Sequence, residues 1–203
     1  MFMIMAKNRL EAFSDGVLAI IITIMVLELK RPDSPEFSAL RALAPVLLSY
    51  VLSFIYVGIY WNNHHHLLHA TKRVNGRILW ANLHLLFWIS LFPFATAWIG
   101  ENHVKAAPAI VYGFVLLMAA IAWYLLQSAI IADEGPDSVL SRALGPDWKV
   151  KLSPIIYLAA IGLALVSAWI AIALYSFVAL LWLIPDRRIE KAIRNRESPG
   201  QGR

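Results

Sequence analysis

The sequence predicts an all-α integral membrane protein with six transmembrane helices. Its mean hydropathy is +0.64, and 60% of its residues are hydrophobic, whereas a soluble domain contains about 45–50% apolar residues. Charged residues make up 15% of the chain, against about 25% in soluble domains. Because the charges separate long apolar runs and form no single patch, the net charge of +5 indicates orientation in a bilayer and not nucleic-acid binding.

The apolar runs set the number of crossings. A crossing needs about 20 mostly apolar residues, and four runs have this length. The last run, 152–184, is too long for one crossing, so we expect two short helices with a tight hairpin near 167–169. Pro93 is expected to kink the third crossing, because proline interrupts the helical hydrogen-bond ladder. The predicted spans are 10–29, 40–62, 78–99, 108–131, 153–167 and 169–185.

The distribution of Lys and Arg selects six crossings over five, because cytoplasmic segments concentrate these residues. With six crossings, 14 of the 18 basic residues lie on the cytoplasmic side. With five, the basic tail moves outside and the split becomes 8 to 10. We therefore expect a six-span domain at 1–186, a basic cytoplasmic tail at 187–203, both termini in the cytoplasm, and no cleavable signal peptide.

The first predicted helix begins with a polar cluster. Arg9, Ser14 and Asp15 stand at or inside a segment that can lie in the bilayer, where ionisable groups are costly. Its first turns are therefore expected to face other helices or an ion pathway. Arg9 is expected to pair with Asp15 or with Glu11, which favours a packing lock over a direct ion site at Asp15.

An apolar face follows this cluster on the same helix. Ile20, Ile24 and Leu27 recur at the spacing of one helical face, Gly16 extends that face by one turn, and Thr23 lies at its edge. By itself, such an apolar face is equally consistent with contact with lipid, contact with another helix or the lining of an ion pathway. The polar cluster immediately before it favours the pathway.

Polar residues of other segments are predicted at similar depth. Asn82 and His84 are expected to join the polar residues of the first helix in one layer. Glu28 ends the first helix on the outer side, and two interpretations stay open for it. It is either a solvated residue paired with Lys30 or a member of a carboxylate ring that concentrates cations at a pore mouth.

A histidine cluster, His64, His65, His66 and His69, follows the second predicted span. Neutral imidazole is the commonest metal ligand, but the chain has no cysteine and no carboxylate lies close in sequence. The favoured interpretation is a helix end whose histidines contact headgroups, a neighbouring helix or the polar cluster. A zinc site and a pH-sensing role are the alternatives.

Motifs of catalysis are absent from the sequence. There is no Gly-x-Ser-x-Gly, no His-Glu-x-x-His, no phosphate-binding loop and no carboxylate pair within a span. We therefore expect no enzymatic activity and no cofactor. The Thr-Val-Gly-Tyr-Gly filter of carbonyl-lined potassium channels is also absent.

The first helix carries a pattern that resembles a known family. The pattern reads Arg9-x-x-x-Phe13-Ser14-Asp15-Gly16-Val17-x-Ala19-Ile20-x-x-Thr23-x-x-x-Leu27-Glu28. It resembles the signature of the transmembrane protein 175 family. Members of this family are potassium-permeable channels of endosomes and lysosomes, and the family also has prokaryotic representatives. The chain holds one six-helix repeat. The resemblance therefore implies a prokaryotic plasma-membrane member that assembles as a homotetramer, since animal members carry two repeats and dimerise.

The resemblance also implies roles for residues of this helix. In the family, the first helix of each repeat lines the pore, and an isoleucine or leucine ring four residues after the motif glycine forms the constriction. That position is Ile20 here, with further apolar rings at Ile24 and Leu27, and the threonine implicated in ion selectivity is Thr23. The motif positions Arg9, Phe13, Ser14, Asp15 and Gly16 are associated with helix packing near the pore.

These observations lead to one predicted function and two alternatives. The chain is expected to be a passive, potassium-permeable cation channel in the lipid bilayer, with a hydrophobic constriction. A proton-conducting channel, or a proton-coupled transporter using Asp15 and the histidines as a relay, is the first alternative, although the chain shows no inverted repeat. A metal-binding membrane protein built on the histidine cluster is the second.

Overall fold

The computed structural model describes residues 7–32, 34–135, 138, 141 and 148–183. These residues form helices and turns without any strand, in agreement with the predicted all-α class. The helices are α1 (Lys7–Leu27), α2 (Phe37–Ala42), α3 (Ala44–Ala70), α4 (Gly76–Ser90), α5 (Phe92–Glu101), α6 (Ala106–Glu134), α7 (Trp148–Leu163) and α8 (Ala168–Leu183).

Within the described residues, four segments are long and apolar enough to cross a membrane, namely α1, α3, α4 together with α5, and α6. The last apolar run is divided into α7 and α8, of 16 residues each, by a turn at 164–167. α8 is apolar but shorter than a usual crossing. The count of six crossings and the domain bounds stay predictions, and the basic tail at 187–203 lies outside the described residues.

Helix α1 buries one face and leaves the other uncovered. Its buried residues recur at intervals of three and four, as expected for one helical stripe, and this stripe packs against α3, α4 and α5. The helix ends at Leu27, shortly before Pro32, which cannot continue the hydrogen-bond ladder. The buried residues are Leu10, Ser14, Leu18, Ile21 and Met25.

Helix α3 differs from the predicted second span, 40–62. It begins at Ala44, with Pro45 in the first turn, where a missing N–H removes no intrahelical bond. It then runs to Ala70, because no proline or glycine interrupts residues 62–70. The histidines, which follow the predicted second span, therefore lie on the last turns of the helix.

The third predicted span contains the kink expected from Pro93. Its first part, α4, is capped by the Asn75 side chain, which accepts a hydrogen bond from the backbone N–H of Ile78 at 3.0 Å. The helix is interrupted at Leu91, and Pro93 occupies the first turn of α5. Gly100 lets α5 approach α3 closely, since a Cβ there would lie 2.8 Å from the Cα of Val46.

Tyrosine side chains join the C-terminal helices to the rest of the bundle. Tyr56 of α3 donates a hydrogen bond to the backbone carbonyl of Tyr175 of α8 at 2.6 Å, and Tyr157 of α7 donates to the Tyr56 hydroxyl at 3.1 Å. The Tyr175 hydroxyl in turn donates to the carbonyl of Ala109 on α6 at 3.1 Å. It lies directly over Gly113, where a Cβ would overlap it. α7 and α8 thus brace α3 and α6, and α1 rests on α3, α4 and α5.

Candidate functional site

The uncovered face of α1 carries the apolar residues that the sequence pattern selected. Ile20 is 60% exposed, Ile24 41% and Leu27 77%. Thr23 is also exposed, and its hydroxyl donates a hydrogen bond to the backbone carbonyl of Ala19 at 2.8 Å. Because the hydroxyl proton is occupied by Ala19, the oxygen lone pairs of Thr23 are left to accept from water or to coordinate a cation.

The same face continues toward the start of the helix. Phe13 is 51% exposed, and no heavy atom lies within 4 Å of the position that a Cβ would take at Gly16. An uncovered apolar stripe along one helix usually marks contact with another surface or with lipid. The stripe therefore has room for further copies of the chain or for a pathway.

The opposite face of α1 is fixed by a buried polar network of Ser14, Asn82 and His64. Ser14 donates its hydroxyl hydrogen to the carbonyl of Leu10 at 2.9 Å and accepts from the Asn82 side-chain N–H at 2.9 Å. The Asn82 oxygen lies 2.7 Å from Nε2 of His64. Because that oxygen can only accept, Nε2 of His64 carries the hydrogen. All three side chains are at most 1% exposed, so the network links α1, α4 and α3 within the core.

Asp15 is held by a residue that the sequence did not single out. Nε1 of Trp61, on α3, donates to Oδ1 of Asp15 at 3.1 Å. The Trp61 ring stacks on His65, with centroids 6.3 Å apart, and His65 stacks on His69 at 6.1 Å. Trp61 stands four residues before His65, and this one-turn spacing is the only signal in the sequence that could have indicated it.

The predicted pairing of Arg9 with Asp15 or Glu11 is wrong within a subunit. Glu11 lies 3.3 Å from Nδ1 of His65, and Asp15 is bound to Trp61. Arg9 is exposed and has no hydrogen bond or ion pair with any described residue. The helical period explains the difference, since Glu11 and Asp15 lie toward α3 whereas Arg9 lies on the face of Ile20.

The structure brings Asn82 into the network but not His84. Nε2 of His84 accepts from Nε1 of Trp88 at 2.9 Å, one turn further along α4. Because residues two apart on a helix point in nearly opposite directions, Asn82 and His84 cannot share one partner on α1.

The four histidines have different surroundings. His64 belongs to the buried network, while His65 meets Glu11 and stacks on its neighbours. Among the described residues, no group of three or more His, Cys, Asp or Glu side chains is arranged to hold a metal ion. The arrangement agrees with the interpretation of a helix end that contacts neighbouring helices.

The other end of α1 carries charged residues. Glu28 is exposed, and Lys30 pairs with Glu101 at 2.6 Å. The hydrogen bond and the attraction from Glu101, with a smaller contribution from Glu28, raise the pKa of Lys30. Of the two open interpretations of Glu28, the pairing with Lys30 is disfavoured, because Lys30 bonds to Glu101 of α5. Glu28 lines an open groove together with Ile24 and Glu101.

Comparisons with known proteins agree on one family. Residues 9–93 match the sequence profile of the family described as endosomal/lysosomal potassium channel TMEM175. A potassium channel of Chryseobacterium sp. (strain P1-3) is 55% identical over 190 residues, which cover 94% of this chain and 99% of that one. The endosomal/lysosomal proton channel TMEM175 of Homo sapiens is 36% identical over 96 residues, which cover 41% of this chain and 19% of that one.

A solved structure has the same fold. The crystal structure of a lysosomal potassium-selective channel TMEM175 homolog from Chamaesiphon minutus is similar with a TM-score of 0.77 at 28% identity, over 89% of this chain and 97% of that chain. This likeness confirms the prediction of a helical membrane protein. Since a relative of almost equal length shares more than half of its residues, this chain belongs to the TMEM175 family.

Proposed function

We propose that the chain is a passive, potassium-permeable cation channel in which α1 of each of four identical subunits surrounds a central pore. The observation that carries this proposal is the uncovered stripe of α1, with Ile20, Thr23, Ile24 and Leu27, opposite a face fixed by buried hydrogen bonds. The names of the bacterial relative and of the solved homolog support potassium as the ion. The family consists of ion channels, so the expectation that the chain is not an enzyme agrees with its relatives.

The constriction is assigned to Ile20. Four apolar side chains around an axis exclude water when the passage is narrow, and hydrophobic constrictions gate by such dewetting. Ile24 and Leu27 add apolar rings at intervals of about one turn. The 60% exposure of Ile20 in a single subunit supports this assignment, because a residue that lines an axis must not be covered by its own subunit.

Thr23 is assigned to ion selectivity. Its hydroxyl proton is directed to Ala19, so its lone pairs can replace part of the hydration shell of a cation beside the Ile20 ring. Four hydroxyl oxygens replace that shell less completely than stacked rings of carbonyl oxygens do. We therefore propose a modest preference for potassium over sodium.

The buried network has the role of a positioning device. Ser14 and Asn82, together with the contact between Asp15 and Trp61, set the rotation of α1 about its own axis and so decide which residues it presents to the pore. Glu28 is assigned to the outer mouth, where a carboxylate attracts cations. We place the protein in a prokaryotic plasma membrane, as the family resemblance implies, with both termini in the cytoplasm, as the charge distribution predicts.

The decisive experiment is measurement of reversal potentials on purified protein in a bilayer, with potassium, sodium and proton gradients varied separately. A reversal potential that follows the potassium gradient supports the proposal, and one that ignores it refutes the proposal. In liposome flux assays Ile20→Asn is expected to increase leak, because a polar ring stays hydrated. Leu47→Asn, at a position of α3 that is also exposed, is the matched control, and equal flux in both variants would remove Ile20 from the constriction.

Proton conduction is the second candidate. The observation that favours it is the name of the human relative, a proton channel, with which this chain shares 96 aligned residues. The same recordings decide between the two, since a proton channel reverses with the pH gradient at any potassium concentration.

A further inference from the structure

A positively charged residue lies on the same face of α1 as the proposed constriction. Arg9 precedes Ile20 by 11 residues and Leu27 by 18, close to three and five full turns at about 3.6 residues per turn. Its side chain is exposed, like those of Ile20 and Leu27. In the described part of the chain it has no hydrogen-bond or ion-pair partner.

The two carboxylates on the same turns of the helix are directed away from this face. Glu11 meets His65 at 3.3 Å, and Asp15 accepts from Trp61 at 3.1 Å. Both partners belong to α3, so both acids lie on the α3 side of α1. Neither of them neutralises Arg9 within a subunit, so its guanidinium leaves an uncompensated positive charge on this face.

We propose that the Arg9 residues of the assembled channel form a ring of positive charge at one entrance of the pore and limit the current that enters from that side. This inference rests on the proposed function, in which α1 lines the axis. At about 1.5 Å per residue, Arg9 lies about 16 Å along the helix from Ile20. The ring therefore lies at the entrance and acts first on the local potassium concentration there.

The other end of α1 has no such single-sign charge, because exposed Glu28 is followed by exposed Lys30 and Arg31, and Lys30 pairs with Glu101. Fixed charges change the concentration of mobile ions near a passage, and this effect weakens as salt screens them. A pore whose fixed positive charge is concentrated at one entrance passes cations more readily from the opposite side. With the N-terminus in the cytoplasm, the channel is an inward rectifier at low ionic strength.

The test is patch recording in symmetric potassium salt at low and high ionic strength. The Debye length is about 30 Å at about 0.01 M and about 3 Å at about 1 M, so wild type is expected to rectify in the first solution and to conduct almost linearly in the second. Arg9→Gln is expected to raise the current entering from the Arg9 side about two- to threefold in low salt and to change little in high salt.

Two further variants separate charge from structure. Arg9→Lys keeps the charge and is expected to rectify as wild type does, whereas a role that depends on guanidinium geometry would be lost in it. Arg73→Gln removes an exposed positive charge from the connection between α3 and α4, a segment other than α1, and is expected to leave the current–voltage relation unchanged.

The outcomes discriminate sharply. A linear current–voltage relation of wild type in low salt overturns the inference. Rectification in Arg9→Gln equal to that of wild type also overturns it, as does equal rectification in Arg9→Lys and Arg9→Gln. If Arg9→Gln does not assemble, the salt dependence of rectification in wild type and in Arg9→Lys decides, because the inference requires both to rectify in low salt and to conduct almost linearly in high salt. Absence of potassium current in wild type refutes the channel proposal instead, whereas currents without rectification refute only the charged ring.

Discussion

Asn82 of α4 donates a hydrogen bond from its side-chain amide to the hydroxyl of Ser14 on α1 over 2.9 Å, and neither side chain is exposed. Within a bilayer no water competes for such groups, so an unpaired one is costly. This contact holds one face of α1 against the bundle. Ile20, six residues after Ser14, consequently points away from the bundle.

A double-mutant cycle at Ser14 and Asn82 tests the contact. Ser14→Ala and Asn82→Ala are each expected to lower the free energy of unfolding by about 1–3 kcal/mol, because each leaves a buried polar group unpaired. The double variant should cost less than the sum, with a coupling of about 0.5–3 kcal/mol. The measurement is equilibrium unfolding in detergent. Asn63→Ala is the control, since the Asn63 side chain donates to the carbonyl of Ile59 on its own helix. If the losses of unfolding free energy for Ser14→Ala and Asn82→Ala simply added up in the double variant, the contact between the two side chains would be absent.

Trp61→Phe tests the anchoring of Asp15. The change keeps an aromatic ring against His65 but removes the N–H that reaches Asp15, so we expect a loss of about 0.5–1.5 kcal/mol in unfolding free energy. Trp80→Phe is the control, because Trp80 is 75% exposed, and surface changes usually lie within about 0.5 kcal/mol. Equal losses in the two variants would mean that the bond to Asp15 contributes nothing.

Periodicity and hydropathy were sufficient for part of this architecture. A helical spacing places Ile20, Ile24 and Leu27 on one face, and the structure leaves all three exposed. Pro93 has a local effect, so its kink was also predictable. Such features depend on short stretches of chain and need no knowledge of which helices meet.

The partners of the polar residues required the tertiary arrangement. The sequence assigned Arg9 to Asp15, but Trp61 is the residue that α3 brings to Asp15. It grouped Asn82 with His84, although only Asn82 faces α1. Helix α3 extends beyond the predicted span because histidines and asparagines lower hydropathy without breaking a helix. The sequence thus predicted the apolar face of α1 but not the partners of the polar residues.

Thr23 offers a test of selectivity. Thr23→Val keeps the shape of the side chain and removes the oxygen, so the permeability ratio of potassium over sodium is expected to fall about two- to fivefold, equivalent to about 0.5–1 kcal/mol. Thr23→Ser retains a hydroxyl and should preserve the ratio. Reversal potentials under mixed potassium and sodium gradients give the measurement. A ratio that is identical in wild type and Thr23→Val would remove Thr23 from the selectivity site.

The bond between Lys30 and Glu101 predicts a pH-dependent effect. Because the pKa of Lys30 is raised above its ordinary value of 10.5, the stabilisation is complete below that value and is lost as the pH rises through the raised pKa. Lys30→Gln is expected to lower the melting temperature slightly at neutral pH and to match wild type at strongly alkaline pH. Since both side chains are partly or largely exposed, high salt should also reduce the difference. Lys105→Gln, in the next loop, is the control, and a difference that grows with pH would contradict the assignment.

Two glycine substitutions with opposite expected signs test the packing of α6 and α7. Gly162, on α7, has no heavy atom within 4 Å of an added Cβ, so Gly162→Ala is expected to stabilise by about 0.5–1 kcal/mol through helix propensity. Gly113, on α6, lies under the Tyr175 hydroxyl, and a Cβ there would also come within 2.6 Å of the Tyr175 ring carbon Cζ. Gly113→Ala is therefore expected to destabilise by about 1–3 kcal/mol, as overpacked cores do.

Removing the hydroxyl separates this clash from a general intolerance of α6. Tyr175→Phe deletes the oxygen that an added methyl meets first, at the cost of the hydrogen bond to Ala109. In the background of Tyr175→Phe, Gly113→Ala is expected to cost less than in wild type, and thermal unfolding in detergent measures both. The rescue should be partial, because Cγ1 of Ile161 also lies 2.9 Å from the added Cβ. If Gly113→Ala did not lower the melting temperature relative to Gly162→Ala, the Tyr175 side chain could not lie as close to Gly113 as the structure shows, and α6 and α8 would be farther apart.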